Sequence, residues 1–380
     1  MSFPSIPKRL LGGLAAALLS VPLTACGGGG SGGSDNAEQI QPIVAGPVPG
    51  AYTLALLSAS RDDRLRVDAA WGPIQFDPTF NQAEAMTRNN DSGRLDLDPE
   101  ASLMNVTPRE TPGMFSLYDA RFGPEWSLTL ARSQDGSVMG LMPMREGWSP
   151  GMGFLVQRSR GMTRDDVLGE YHVLGHEYST STSIGSVYRG VAVINPEETK
   201  SQLWIRSTEG RSQQQRTLLH SIEDDGSSAN GLDLQGGFRP AGDFAAYTGS
   251  GSASGHKRLQ QLFMIRFGEG LTRADLQGEY ALHRLNLMTP VPSASLGVVS
   301  FSGNGLAGYR VDGENLGGQA RPGSEPRMGT YSVEDNGEVR LRIGAFDHFD
   351  GAMTQDGQIV VLGSYGTDEA PQTLLVLLKR

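Results

Sequence analysis

His172 and His176, four residues apart, are the first candidates for chemistry in this chain. On a helix that spacing would offer two imidazoles to one zinc ion. Gly175 and the strand-rich surroundings place them on a strand instead, where they share a face about 13 Å apart at ~3.3 Å per residue. Asp347-His348-Phe349-Asp350 sets acids beside a base. No Gly-x-Ser-x-Gly elbow lies near it to supply a nucleophile, and the segment reads as an exposed polar loop. Asp91, Asp96, Asp98 and Glu100 offer oxygen ligands, but their spacing is not that of an EF-hand and suits an acidic surface loop. Asp224-Asp225-Gly226 reads as a turn. The adjacent pairs Asp62-Asp63 and Asp165-Asp166 cannot face each other across a glycosidic bond by themselves. Trp71, Trp126, Trp148 and Trp204 are candidate stacking platforms, with core packing as the commoner use. The methionines between Met139 and Met144 suit either an adaptable apolar pocket or ordinary core filling. No metal and no cofactor is implied. A protein without catalysis is expected, with a hydrolase site assembled between distant segments as the remaining enzymatic alternative.

The one thiol is Cys26. It follows Leu23-Thr24-Ala25 and precedes a glycine run, Gly27 to Gly30. Upstream lie the charged pair Lys8-Arg9 and an apolar stretch, Leu10 to Leu19, too short to span a bilayer as a mature helix. The pattern resembles the bacterial lipoprotein signal, in which the leader is cut before the cysteine and the cysteine is acylated. The resemblance implies a leader over 1–25, lipidation at Cys26 and a membrane as partner through that anchor. Gly27, where an inner-membrane protein of this type often carries aspartate, implies the outer membrane. A lipidated Cys26 leaves no thiol for disulfides, metal sites or nucleophilic catalysis. The Gly/Ser-rich stretch over 26–46 reads as a flexible tether.

The chain has 380 residues and a net charge of −10. Losing Lys8 and Arg9 with the leader makes the remainder more acidic still. No basic cluster offsets that charge, so nucleic acid is not expected as a partner. Glycine, at 51 residues, is about twice the usual ~7% and is spread along the chain, as in a protein of many turns.

The body repeats itself. Gly161-Met-Thr-Arg-Asp-Asp-Val-Leu-Gly-Glu-Tyr171 matches Gly270-Leu-Thr-Arg-Ala-Asp-Leu-Gln-Gly-Glu-Tyr280 at seven of eleven positions, and Gly50-Ala51-Tyr52 is a weaker copy. Repeats over 47–160, 161–269 and 270–380 follow. The third copy shows eight candidate strands. Val339, Leu341 and Ile343 alternate with Arg340 and Arg342, the period of a strand with one buried face. Asp312-Gly313, Asn336-Gly337, Asp350-Gly351 and Asp356-Gly357 read as hairpin turns. Thr163 with Asp166, and Thr272 with Asp275, suggest a capped helical turn before the second and third copies. The fold class is therefore all-β: three tandem antiparallel meanders of about 110 residues, each a small eight-stranded barrel.

A helical turn, then Gly-x-aromatic, then eight antiparallel strands is similar to the lipocalin and calycin barrels. The resemblance implies a barrel-floor plug at Gly50 and Tyr52, Gly169 and Tyr171, and Gly278 and Tyr280. Tyrosine stands where those families carry tryptophan, and Arg158, Arg266 and Lys379 stand near the position of their basic partner. Leu374 to Leu378 is apolar on both faces, so its outer face needs cover, for which a neighbouring repeat is expected. The leading functional expectation is a non-catalytic binding lipoprotein for a small apolar ligand. The alternative is a surface adhesin that binds an envelope or host protein.

Overall fold

A computed structural model describes residues 50–61, 65–77, 82–85, 102–109, 114–119, 127–144, 150–179, 184–195, 200–207, 213–230, 234–253, 256–287, 291–345, 347–364 and 372–380. The residues expected to form the leader, Leu23-Thr24-Ala25, Cys26 and the expected tether lie outside them. So do Asp62, Asp63, Asp91, Asp96, Asp98, Glu100, Trp126 and Trp148, and the side chain of Trp204.

The chain is all-β. Strands β1 (Gly50–Arg61), β2 (Leu65–Asp77), β3 (Gln82–Ala85), β4 (Ser102–Pro108), β5 (Met114–Asp119), β6 (Ser127–Arg132), β7 (Val138–Pro143) and β8 (Gly151–Gln157) pair in order. The β1–β8 pairing closes them into a barrel. Arg164–Val167 is a short 3-10 helix. A second closed barrel follows: β9 (Gly169–Ser179), β10 (Ile184–Ile194), β11 (Lys200–Ser207), β12 (Gln213–Ile222), β13 (Ser227–Asn230), β14 (Leu234–Phe238), β15 (Phe244–Ala253) and β16 (His256–Arg266), sealed by β16 on β9.

The third sheet holds nine strands: β17 (Gly278–Asn286), β18 (Ser293–Phe301), β19 (Leu306–Leu316), β20 (Gln319–Pro322), β21 (Arg327–Val333), β22 (Glu338–Ile343), β23 (Asp347–Met353), β24 (Ile359–Gly363) and β25 (Thr373–Lys379). Eight of them form a ring, because β18 also pairs with β19 and β17 with β25. The ninth, β20, lies on the outer half of β19. Among the described residues no helix is long and apolar enough to cross a membrane.

The turns come from a short recurring chemistry. In Ser133 to Val138, Asp135 accepts hydrogen bonds from the Ser133 hydroxyl, at 2.5 Å, and from the Ser137 amide, at 3.0 Å. Thr354, Asp356 and Gln358 repeat the arrangement at 2.7 and 3.0 Å. Each turn closes on a glycine, Gly136 (φ 73°) or Gly357 (φ 65°), in the left-handed region that a side chain disfavours. Two Asp-Gly pairs behave otherwise. Asp312 is the extra residue of a bulge inside β19, where the register with β18 slips between Leu296 and Gly297. Asp350-Gly351 lies within β23. Neither makes a turn, because paired strands run through both positions.

Four apolar cores follow from the alternation. Tyr52, Leu54 and Leu56 of β1 point into the first barrel. Tyr171 and Val173 of β9 point into the second. Tyr280 and Leu282 of β17 point into the third. The alternate residues point outward and build a fourth core shared by all three barrels. It includes Ala55, Leu57 and Phe154, then Leu174, Tyr178 and Phe263, then Ala281, Leu285 and Val376. Leu375 and Leu377 fill the third barrel while Leu374, Val376 and Leu378 join the shared core, so the neighbouring barrels cover the outer face of β25. Burying each such side chain contributes about 1.5–3 kcal/mol. At the centre, Phe154 meets Phe263 edge-on at 5.1 Å and His283 at 5.8 Å. Gly140 seats the His283 ring: a Cβ there would stand 2.2 Å from Nε2.

Candidate functional site

The Gly-x-Tyr motif begins the first strand of each barrel. Gly50, Gly169 and Gly278 take φ of 147°, 136° and 122°, which turns the chain into the first strand. The tyrosine two residues on is fully buried, and its ring packs edge-on against a phenylalanine of its own barrel: Tyr52 on Phe76, Tyr171 on Phe238, Tyr280 on Phe301. Its hydroxyl then donates to the carbonyl of a turn glycine: Tyr52 to Gly136 at 3.0 Å, Tyr171 to Gly242 at 2.7 Å, Tyr280 to Gly357 at 2.7 Å. Burial pushes the Tyr171 phenol up to about 12, although Arg266 pulls the other way. Arg266 and Lys379 lie over the rings of Tyr171 and Tyr280, at 5.6 and 5.9 Å. Arg158 turns aside, to Thr53 and Asp225.

Those same turns carry the acids of a central ion cluster. Arg239 holds the turn position that Ser133 and Thr354 hold in the other barrels, since the amides of all three bond to the residue five places on. It is 1% exposed and grips Asp243 with both Nε and Nη2. Nη2 also reaches Asp356 of the third barrel at 2.8 Å, and Nη1 reaches Asp135 of the first at 3.5 Å. Burial works against the guanidinium charge. The hydrogen bond and charge of Asp243, with Asp356 and Asp135 behind it, outweigh that and hold its pKa above the ordinary arginine value. One cation thus joins a turn from each barrel.

The first two barrels leave a cleft of about 310 Å³ between them. Trp71, half-buried on the outer face of β2, lies in one wall with Gly72, Pro73 and Thr53. Ser221, Glu223, Ser227, Ala229, Gln235 and Gly236 form the opposite wall, from β12, β13, β14 and the β12–β13 turn. Arg158 spans the floor: Nε donates to Thr53 Oγ1 at 2.9 Å and Nη1 pairs with Asp225 at 2.6 Å. Asp225 also accepts from the Ser227 amide and hydroxyl. These hydrogen bonds, with the arginine charge, hold its carboxyl below the usual range against the opposing effect of burial. The lining is mixed polar and apolar, with one aromatic surface and with Arg158 and Asp225 paired to each other. It is fit to bind and orient a ligand.

The other sequence candidates sit elsewhere. His172 and His176 share the outer face of β9. His172 bonds the Asn336 carbonyl at 3.1 Å and stacks on Phe267, while His176 is fully buried. Asp347-His348-Phe349-Asp350 is strand β23, not a loop: Phe349 fills the third barrel and Asp347 pairs with Arg327 at 2.6 Å. It reads as polar only because its outward positions are polar. Met139 fills the first barrel and Met142 the shared core. Asp224-Asp225-Gly226 is a turn and Asp166 accepts from Thr163 at 2.7 Å, as expected. The expectation missed Arg239, whose only sign in sequence is an arginine where the related turns have Ser133 and Thr354.

No family model matches the chain, and no curated protein does. Among solved structures, kievitone hydratase from Nectria haematococca is similar over 58% of this chain and 93% of its own, at 9% identity and a TM-score of 0.20. Transferrin binding protein B from Neisseria meningitidis is similar over 88% and 77%, at 8% identity and 0.23. The same protein from Haemophilus parasuis is similar over 87% and 75%, at 8% identity and 0.25. At such scores none of these likenesses assigns a family or a function.

Proposed function

We propose that the chain is a non-catalytic binding lipoprotein, held at the outer membrane by acyl chains on Cys26, that engages its partner with the outside of its barrels. The observation that carries this reading is the state of the barrel interiors. Small eight-stranded barrels either fill with side chains or hold one small ligand. Among the described residues the inward positions carry large apolar side chains in contiguous clusters, and the buried tyrosine of each Gly-x-Tyr bonds a turn carbonyl of its own barrel. That favours partner binding over carriage of an apolar molecule. The histidines His172, His176 and His283 pack between barrels, which favours a structural role for them over catalysis.

Native mass spectrometry of the full chain, purified from its host in a sugar-free detergent, tests the reading. The expected mass is the polypeptide from Cys26 onward plus acyl chains, and Cys26→Ser removes the acyl mass. A reproducible further mass of apolar small-molecule size would contradict the reading and restore the carrier.

A further inference from the structure

We infer that the cleft between the first two barrels is a binding site for a neutral saccharide of one or two rings. This rests on the reading that ligands are met outside the barrels. At about 310 Å³ the cleft is at the lower end of small-ligand sites. A sugar ring has an apolar C–H face and an edge of hydroxyls that each donate and accept. Trp71 supplies an aromatic surface for the face. The walls supply partners for the edge. Thr53 Oγ1 already accepts from Arg158, so its proton remains to donate. Ser227 already donates to Asp225, so its lone pairs remain to accept. Gln235 offers an amide, and the exposed Glu223 carboxylate can receive two neighbouring hydroxyls.

The competing ligand classes fit less well. Arg158 is committed to Asp225, and Glu223 adds negative charge, so an anion finds no open cation. An extended peptide would need an open strand edge, and in the second-barrel wall β13 and β14 are each paired on both sides. A lipid chain would need more apolar wall than Trp71, Pro73 and Ala229 provide.

Saturation-transfer NMR on the full chain in sugar-free detergent, with maltose, cellobiose, lactose and chitobiose as probes and triglycine as control, tests this. At least one disaccharide is expected to receive saturation at its ring protons and to change tryptophan emission. Ser221→Trp, an exposed rim substitution that obstructs the cleft and spares the core, should weaken that binding at least tenfold. Trp71→Ala should do the same, but Trp71 also packs on the shared core, so Ser221→Trp is the deciding variant. No transfer to any disaccharide, transfer to triglycine alone, or sugar binding unchanged in Ser221→Trp would overturn the inference. None of these results would alter the intact mass, so the binding reading stands or falls separately.

Discussion

Arg239→Ala is expected to destabilise the protein by about 3 kcal/mol, the lower end of the ~3–5 kcal/mol lost when a buried ion pair is left with one partner. The lower end applies because two of the three carboxylates can rehydrate: the side chains of Asp135 and Asp356 are 40% and 44% exposed. Asp243, at 13%, is left with the uncompensated charge. Arg239→Lys should recover only part of the loss, since an ammonium cannot bind Asp243 through two nitrogens while reaching Asp356. Arg239→Met combined with Asp243→Asn should recover more than Lys does, because it removes the stranded charge. Urea unfolding measured for the four proteins separates these outcomes. A loss below about 0.5 kcal/mol for Arg239→Ala would mean that the shared apolar core alone fixes the barrels.

Mild acid is expected to weaken the fold steeply, through His176 and His283. Both rings are buried in the shared core, and the nitrogens of His176 have no hydrogen-bond partner among the described residues. Burial lowers the pKa of His176 to about 3. It lowers that of His283 to about 4, against a small opposing effect from the backbone of Val376, Gly140 and Ala281. A histidine whose folded pKa is depressed binds its proton more readily in the unfolded chain. Stability is therefore full above the unfolded value near 6.5 and falls as the pH drops toward the folded value. Each imidazole removes roughly 1.4 kcal/mol per pH unit in that window. Together they remove about 5 kcal/mol between pH 6.5 and 4.5, comparable with the whole stability of a marginal domain. Asp356 acts in the same direction at lower pH: its carboxyl is held below the usual range, where the pull of Arg239 outweighs burial, so its contribution fades as acid protonates it. Thermal midpoints across pH 7.5 to 4.5 should fall steeply for the native chain and more gently for His283→Gln. Parallel curves would mean that the His283 site hydrates before it titrates.

Much of the architecture was legible because local signals agreed. The alternation of Val339, Leu341 and Ile343, the turn glycines, and the Gly-x-Tyr copies each report short-range geometry. The doubly apolar run Leu374 to Leu378 even indicated the shared core. Strand β20 was not legible, because Gln319 to Pro322 is exposed throughout and carries no period. Asp312-Gly313 misled because a bulge and a hairpin use the same residues. The cleft and the ion cluster escaped for a different reason. Trp71 and Gln235, or Asp135 and Asp356, meet only when separate barrels pack, and no spacing within one repeat encodes that meeting.

The central claim is that the barrels are filled and that recognition happens outside them. A crystal of the protein pressurised with xenon tests it most directly, because xenon enters apolar voids that water leaves empty. The account predicts no ordered xenon inside any of the three rings that begin at Tyr52, Tyr171 and Tyr280. Xenon ordered beside Leu54, Val173 or Leu282 would reveal an apolar lumen and return the protein to the ligand carriers.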